Sequence, residues 1–124
     1  MQDVLRELVK KWVDILALHH WEIEVEYVPP EAMDNHGKWG EVVERDYTYY
    51  VAHIKISQAC PPNRLEDVVI HELLHIIVGE IIATTNLIFG AYISRADALL
   101  LHYSEETVVT MLERAFSRLL ENNS

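Results

Sequence analysis

Residues 68–78 read Val-Val-Ile-His-Glu-Leu-Leu-His-Ile-Ile-Val, an apolar run interrupted only by two histidines and a glutamate. Residues four apart lie on the same face of an α-helix, with Cβ atoms roughly 6 Å apart. His71 and His75 can therefore present both imidazoles to one metal ion. Glu72 is rotated by about 100° from His71, so its carboxylate can reach a metal-bound water without being a ligand. This His-Glu-x-x-His pattern predicts a site for zinc-assisted hydrolysis of a carbonyl group.

The stretch before this run indicates an α+β domain. An amphipathic pattern predicts a helix over residues 3–18, and alternation of apolar with charged residues predicts three strands. The strands are expected at residues 21–28, at residues 41–45 and from Tyr49 to Ser57, with a turn near residues 46–48. Because they follow one another at hairpin-like spacing, we expect a small, mostly antiparallel sheet.

Start and stop signals bound the helices that follow the sheet. Asn63 and Glu66 are three residues apart and predict a capping box at the start of the helix with the two histidines. We expect that helix to end at about residues 79–83. Ser94 is another start signal, and a last helix is predicted over residues 104–120.

The composition limits which binding partners and which cellular compartment we expect. The chain has 124 residues and a net charge of −10, so we expect one domain over residues 1–124 and no nucleic-acid or membrane partner. Cys60 is the single cysteine, so no disulfide can form within the chain. The N-terminus lacks a signal-peptide pattern, and no uninterrupted apolar run reaches membrane-spanning length. We therefore expect a cytoplasmic protein.

A catalytic zinc needs three protein ligands and an open position for water, so a third ligand must lie elsewhere in the chain. At 100° per residue, Glu105 falls near the middle of the apolar stripe of the last predicted helix, and Glu106 falls at its edge. The stripe consists of Val108, Val109, Leu112, Ala115, Phe116 and Leu119. A carboxylate on a core-facing stripe is costly unless it is paired or metal-bound. Glu105 is therefore the predicted third ligand, with Glu106 and His102 as alternatives; the ordinary interpretation is a helix-start carboxylate after a Ser104 cap.

The His-Glu-Leu-Leu-His sequence over residues 71–75, followed some thirty residues later by Glu105 and Val108-Val109, resembles the gluzincin type of zinc metallopeptidase. The short chain and the order of its elements resemble minigluzincins and small phage-type or SprT-like metallopeptidases. Val109 stands where that group usually carries Asp or Asn. The resemblance implies a zincin-like single domain whose C-terminal helix carries the third ligand, and one Zn²⁺ ion held by His71, His75 and Glu105.

The same resemblance implies an activity and a mode of substrate binding. Peptide bonds would be hydrolysed with a zinc-bound water and Glu72 as general base. A peptide or protein substrate would bind along the strand from Tyr49 to Ser57, which zincins use as an edge strand. The donor to the oxyanion stays open among His53, Tyr49, Tyr103 and His102.

Two other functions compete with an active peptidase. The site could be latent, with Cys60 or another group as an extra zinc ligand, or the protein could be a catalytically silent, zinc-stabilised binding or regulatory protein with the same fold. The intact Glu72 favours catalysis, because a structural zinc site needs no general base. A SprT-like protease acting on DNA-bound proteins is disfavoured by the net charge of −10.

Overall fold

The computed structural model describes residues 1–89 and 95–123, without the side chains of residues 84–89, 95–104, 120, 122 and 123. Its elements are α1 (Gln2–Ile15), β1 (Glu22–Val28), β2 (Gly40–Asp46), β3 (Val51–Ser57), α2 (Leu65–Phe89) and α3 (Arg95–Asn123), with short 3₁₀ turns at Pro30–Ala32 and Pro62–Arg64. The fold class is α+β, as predicted. The chain forms two compact units, Met1–Leu73 and Leu74–Ser124, and the boundary between them falls inside α2. The single domain over residues 1–124 stays a prediction.

The sheet has the strand order β1-β3-β2, with β1 parallel and β2 antiparallel to β3. The prediction of a mostly antiparallel sheet is therefore wrong, because the sheet is open and mixed. The strand from Tyr49 to Ser57, which begins at Val51 in the structure, is the central strand rather than an edge strand. Both of its sides are occupied by neighbouring strands, so it cannot add a substrate strand.

The side chains of β3 explain its central position. Ala52, Ile54 and Ile56 are almost fully buried on one face. On the other face, His53 lies between Glu24 of β1 and Glu44 of β2, and Lys55 lies between Glu26 and Glu41 in the same way. The opposite charges of Lys55 and its two glutamate neighbours stabilise pairing, and charged side chains are typical of edge strands. The most apolar strand thus takes the centre and the two acidic strands take the edges.

The outer edge of β1 is covered at one point by the first turn of α1. The Gln2 side chain donates a hydrogen bond from Nε2 to the Val25 carbonyl oxygen (2.7 Å) and accepts one at Oε1 from the Tyr27 N–H (2.8 Å). These two backbone groups point away from β3, and a side-chain amide supplies them with one acceptor and one donor, as a neighbouring strand would.

The helix boundaries differ from the predicted ones in three places. Helix α1 ends at Ile15 rather than residue 18, and Ala17 adopts a left-handed conformation (φ 55°) shortly afterwards. Asn63 lies within a 3₁₀ turn, so it is not the N-cap of α2. The Glu66 carboxylate instead accepts hydrogen bonds from Lys11 Nζ (2.8 Å) and Trp12 Nε1 (2.9 Å) of α1. The predicted capping box is therefore wrong.

The two long helices continue through signals that were expected to interrupt them. Helix α2 passes Gly79 and continues to Phe89, and α3 runs without a break from Arg95 to Asn123. A glycine costs only about 1 kcal/mol inside a helix, so one glycine does not end a helix of 25 residues. Ser104 is inside α3, because a serine alone does not start a helix when the sequence on both sides is helical. Ser94 lies outside the described residues.

Candidate metal centre

The predicted metal-binding motif lies on one face of α2. One ligand atom from each of His71, Glu72 and His75 lies within 4.8 Å of the other two. Glu72 is buried, with 5% of its surface exposed, and both histidines are partly exposed. Zinc ligands at bond lengths of about 2.1 Å lie roughly 3.4 Å apart in a tetrahedral site, so side-chain rotation alone can bring both imidazoles to one ion. The donor set therefore fits Zn²⁺.

In the second unit, His75 lies between two carboxylates of α3. Glu105 Oε1 is 3.3 Å from His75 Nδ1, and Glu106 Oε1 is 3.1 Å from His75 Nε2. A neutral imidazole carries one N–H, so it can donate to only one of these carboxylates. A histidine that binds zinc uses one nitrogen for the metal and donates its other N–H to an acceptor such as a carboxylate. Both Glu105 and Glu106 are thus close enough to His75 to serve as a zinc ligand or as the acceptor that orients the ring.

Burial separates the two glutamates. Glu105 is 4% exposed, whereas the Glu106 side chain is 48% exposed. Glu105 lies well inside α3, so the interpretation as a helix-start carboxylate after Ser104 does not hold. A buried carboxylate is costly unless it is paired, and His75 Nδ1 is one partner of Glu105. The side chain of His102, the other alternative, lies outside the described part of the chain.

The apolar stripe that selected Glu105 is only partly correct. Val109, one turn after Glu105, is fully buried, and the two together form the buried positions among the described side chains of α3. Val108 is 41% exposed, Leu112 is 37% exposed and Leu119 is 55% exposed. The inward face of α3 is thus centred on Glu105 and Val109 rather than on the predicted stripe.

The remaining candidates lie in the first unit, except His102 and Tyr103, whose side chains are outside the description. His53 Nε2 is 3.1 Å from Glu26 Oε2 on the outer face of the sheet, and Tyr49 is 77% exposed in the turn before β3. Burial raises the pKa of the Cys60 thiol, and the nearby Arg64 only partly opposes this. Cys60 as an extra ligand of a latent zinc site stays a prediction.

Gly40, the first residue of β2, is a residue that the sequence patterns did not single out. It lies against α2 beside Glu72, at a distance that leaves no room for a side chain. A lone glycine after a loop has many explanations, so no sequence signal distinguishes this one.

Comparisons with protein-family models, curated proteins and solved structures found no match for this chain. None of the helices in residues 1–89 and 95–123 is long and apolar enough to cross a membrane. The roles of His71, Glu72, His75 and Glu105, the gluzincin resemblance and the cytoplasmic location stay predictions.

Proposed function

We propose that the protein is a zinc-dependent metallopeptidase of the gluzincin type. The observation that carries the proposal is a buried glutamate, Glu72, whose carboxylate lies within 4.8 Å of two histidines on one helix. A buried carboxylate this close to two imidazoles supports a general base beside a metal, because a purely structural zinc site needs no such base. Glu105, buried against His75, supports a third ligand on α3.

Each residue has a distinct role in the proposed reaction. His71, His75 and Glu105 would hold one Zn²⁺, which, when bound, would supply a Lewis acid for the hydrolysis of a carbonyl group. Glu72 accepts a proton from the attacking water and passes it to the leaving amine. Glu106, from the more exposed side of α3, would accept the remaining N–H of His75 and keep the ring in orientation.

We propose β2 as the strand that binds the substrate, in place of the strand from Tyr49 to Ser57. Strand β2 is an edge of the sheet, and its first residue, Gly40, lies beside Glu72. The Trp39 carbonyl oxygen accepts a hydrogen bond from the Ser57 N–H (2.8 Å), so by the alternation of an antiparallel pair the backbone groups of Gly40 point away from β3. An extended peptide can pair with such an edge through its main chain.

The proposal is tested first by metal content. Wild-type protein dialysed against metal-free buffer should keep about one zinc per chain, measured by atomic emission. Glu105→Gln should weaken zinc binding by more than about a hundredfold, because the loss of an outer partner alone costs about 10–100-fold. Glu106→Gln is the matched control on the neighbouring residue, and it should weaken binding by about 10–100-fold, the range for an outer partner. The reverse order would make Glu106 the ligand, and a wild type without stoichiometric zinc would refute the metal site.

Hydrolysis of an unfolded, fluorescently labelled protein tests the activity. Wild type should cleave it in a zinc-dependent manner, and Glu72→Gln should keep its zinc and lose the cleavage. A catalytically silent, zinc-stabilised binding protein is the second candidate, and the low exposure of Glu72 (5%) favours it because a closed site restricts access of substrate. Zinc binding without cleavage by wild type would support this second candidate against the first.

A further inference from the structure

Gly40 begins β2 and lies opposite Ile56 of β3, in the same compact unit as Glu72. An ideal Cβ built on Gly40 would lie 2.6 Å from Val68 Cγ1, 3.1 Å from Glu72 Cγ and 3.3 Å from Glu72 Oε1. Cβ atoms in proteins essentially never approach another heavy atom to under 3.0 Å. Strand β2 therefore approaches α2 so closely that only glycine fits without movement of Val68, and any side chain would crowd Glu72.

The requirement for glycine at this position comes from space and not from backbone conformation. None of the described glycines has a positive φ, so the backbone of Gly40 is one that other residues adopt. Gly37, three residues earlier, provides a comparison, because a Cβ there would meet only Asn35 Oδ1 at an ordinary 3.5 Å. Gly37 thus does not share the close approach of Gly40, and two of the three contacts of Gly40 are with the side chain of Glu72.

We infer that Gly40 is a positioning residue for Glu72: the missing side chain leaves the space in which the Glu72 carboxylate stands. This inference rests on the proposed function for its effect on catalysis. A general base must stand within hydrogen-bond reach of the proton that it takes, and a displacement of about 1 Å can cost about a hundredfold in rate. Gly40 itself touches no reacting atom in the proposed reaction and acts through Glu72.

The test distinguishes the contact that a Cβ at position 40 would make with Val68 from the contacts that it would make with Glu72. Gly40→Ala places a Cβ against both Val68 and Glu72, and this variant alone could simply lose stability. The double variant Gly40→Ala/Val68→Ala removes the Val68 Cγ atoms and leaves only the contacts with Glu72 at 3.1 and 3.3 Å. The reference proteins are Val68→Ala, Gly37→Ala and wild type. For each protein, zinc content, the midpoint of urea unfolding, kcat, KM and the crystal structure are measured.

The double variant should match Val68→Ala in zinc content and unfolding midpoint, because the closest contact is gone. Its kcat should be about 10–100-fold lower with little change in KM, and its crystal structure should show a displaced Glu72 carboxylate. Gly37→Ala should behave as wild type. A double variant with the kcat of Val68→Ala and an unmoved Glu72 would show that Gly40 serves packing alone, and would overturn the inference.

Failure of this inference and failure of the proposed function give different results. If wild type hydrolyses peptide bonds and the double variant does so equally well, the function stands and the role of Gly40 falls. If no protein in the series shows activity, the function falls, and the crystal structures still decide whether the residue at position 40 sets the position of Glu72.

Discussion

Two glutamates of α2, Glu66 and Glu72, lie less than two helical turns apart and have contrasting surroundings. Glu66 is partly exposed and accepts hydrogen bonds from Lys11 and Trp12 of α1. Glu72 is buried, between two histidines on its own helix and beside a glycine of β2. The Glu66 carboxylate links α1 to α2, because it accepts hydrogen bonds from a lysine ammonium group and an indole N–H. The Glu72 carboxylate is buried beside two potential metal ligands, which is the environment proposed for a general base. The same residue type on the same helix therefore has a structural role at one position and a proposed catalytic role at the other.

The largest expected effect is the loss of activity on replacing Glu72, which replacement of Glu66 should not cause. Glu72→Gln should reduce kcat about 10²–10⁴-fold, the range for the loss of a general base, and should change the free energy of unfolding little. Steady-state hydrolysis of an unfolded protein measures the first quantity and urea unfolding the second. Glu66→Gln is the matched control and should retain wild-type kcat. Equal losses of activity in the two variants would contradict the contrast.

The next largest effect is on stability, and here Glu66 rather than Glu72 is the residue whose replacement matters. Glu66→Gln should lower the free energy of unfolding by about 1–2 kcal/mol, because it removes the charge from hydrogen bonds that Lys11 and Trp12 donate. Urea unfolding at neutral pH measures this, and zinc content should not change. An unfolding midpoint identical to that of wild type would mean that water replaces these contacts without loss.

The pKa of Glu66 predicts how that stabilisation depends on pH. Burial raises the pKa, but the hydrogen bonds from Lys11 and Trp12 and the charge of Lys11 outweigh it, so the pKa lies below its ordinary value of 4.5. A carboxyl with a lowered pKa in the folded state contributes fully above the unfolded-state pKa and loses this contribution as the pH falls through the folded value. The difference in unfolding free energy between wild type and Glu66→Gln should thus be constant above about pH 5 and decrease below about pH 4.5. A difference that grows on acidification would contradict this sign.

The smallest expected effect is that of the cation. Lys11→Met should lower the free energy of unfolding by about 0.5 kcal/mol or less, because the Lys11 side chain is 48% exposed and water screens its pairing with Glu66. The Trp12 N–H still holds the carboxylate in this variant. Urea unfolding at low and high salt measures the effect, which should shrink as salt increases. A loss as large as that of Glu66→Gln would show that Lys11, rather than Trp12, is the dominant partner.

Local periodicity predicted the elements well, because side-chain alternation and helical spacing are properties of neighbouring residues. The strands around Val25, Val42 and Ile54 were placed within a few residues, and the relation of His71 to His75 follows from helix geometry alone. The strand order was not predicted, because it depends on pairing between distant residues. The acidic residues that alternate along β1 and β2 carry that information, but only once His53 and Lys55 are known to lie between them.

The residues of the candidate site could likewise be predicted only where the signal is local in the sequence. Glu105 was predicted from an apolar stripe of which only Val109 is buried as expected. The prediction of Glu105 therefore depended on its helical spacing from that one residue. The role inferred for Gly40 depends on how closely β2 approaches α2, which no pattern within either segment encodes. A residue that acts through its own side chain can be recognised from the pattern of its neighbours in the sequence. A glycine that acts because it has no side chain cannot be recognised in this way.

The Gln2 amide on the outer edge of β1 has a consequence for self-association. A strand from a second copy of the chain cannot pair at Val25 and Tyr27 until Gln2 leaves both groups. Gln2 belongs to the first turn of α1, and terminal turns fray more readily than helix interiors. Fraying of this one turn exposes an unprotected strand edge, where intermolecular β-pairing begins aggregation. The stability of a single helical turn thereby affects how accessible one of the two edges of the sheet is to a second chain.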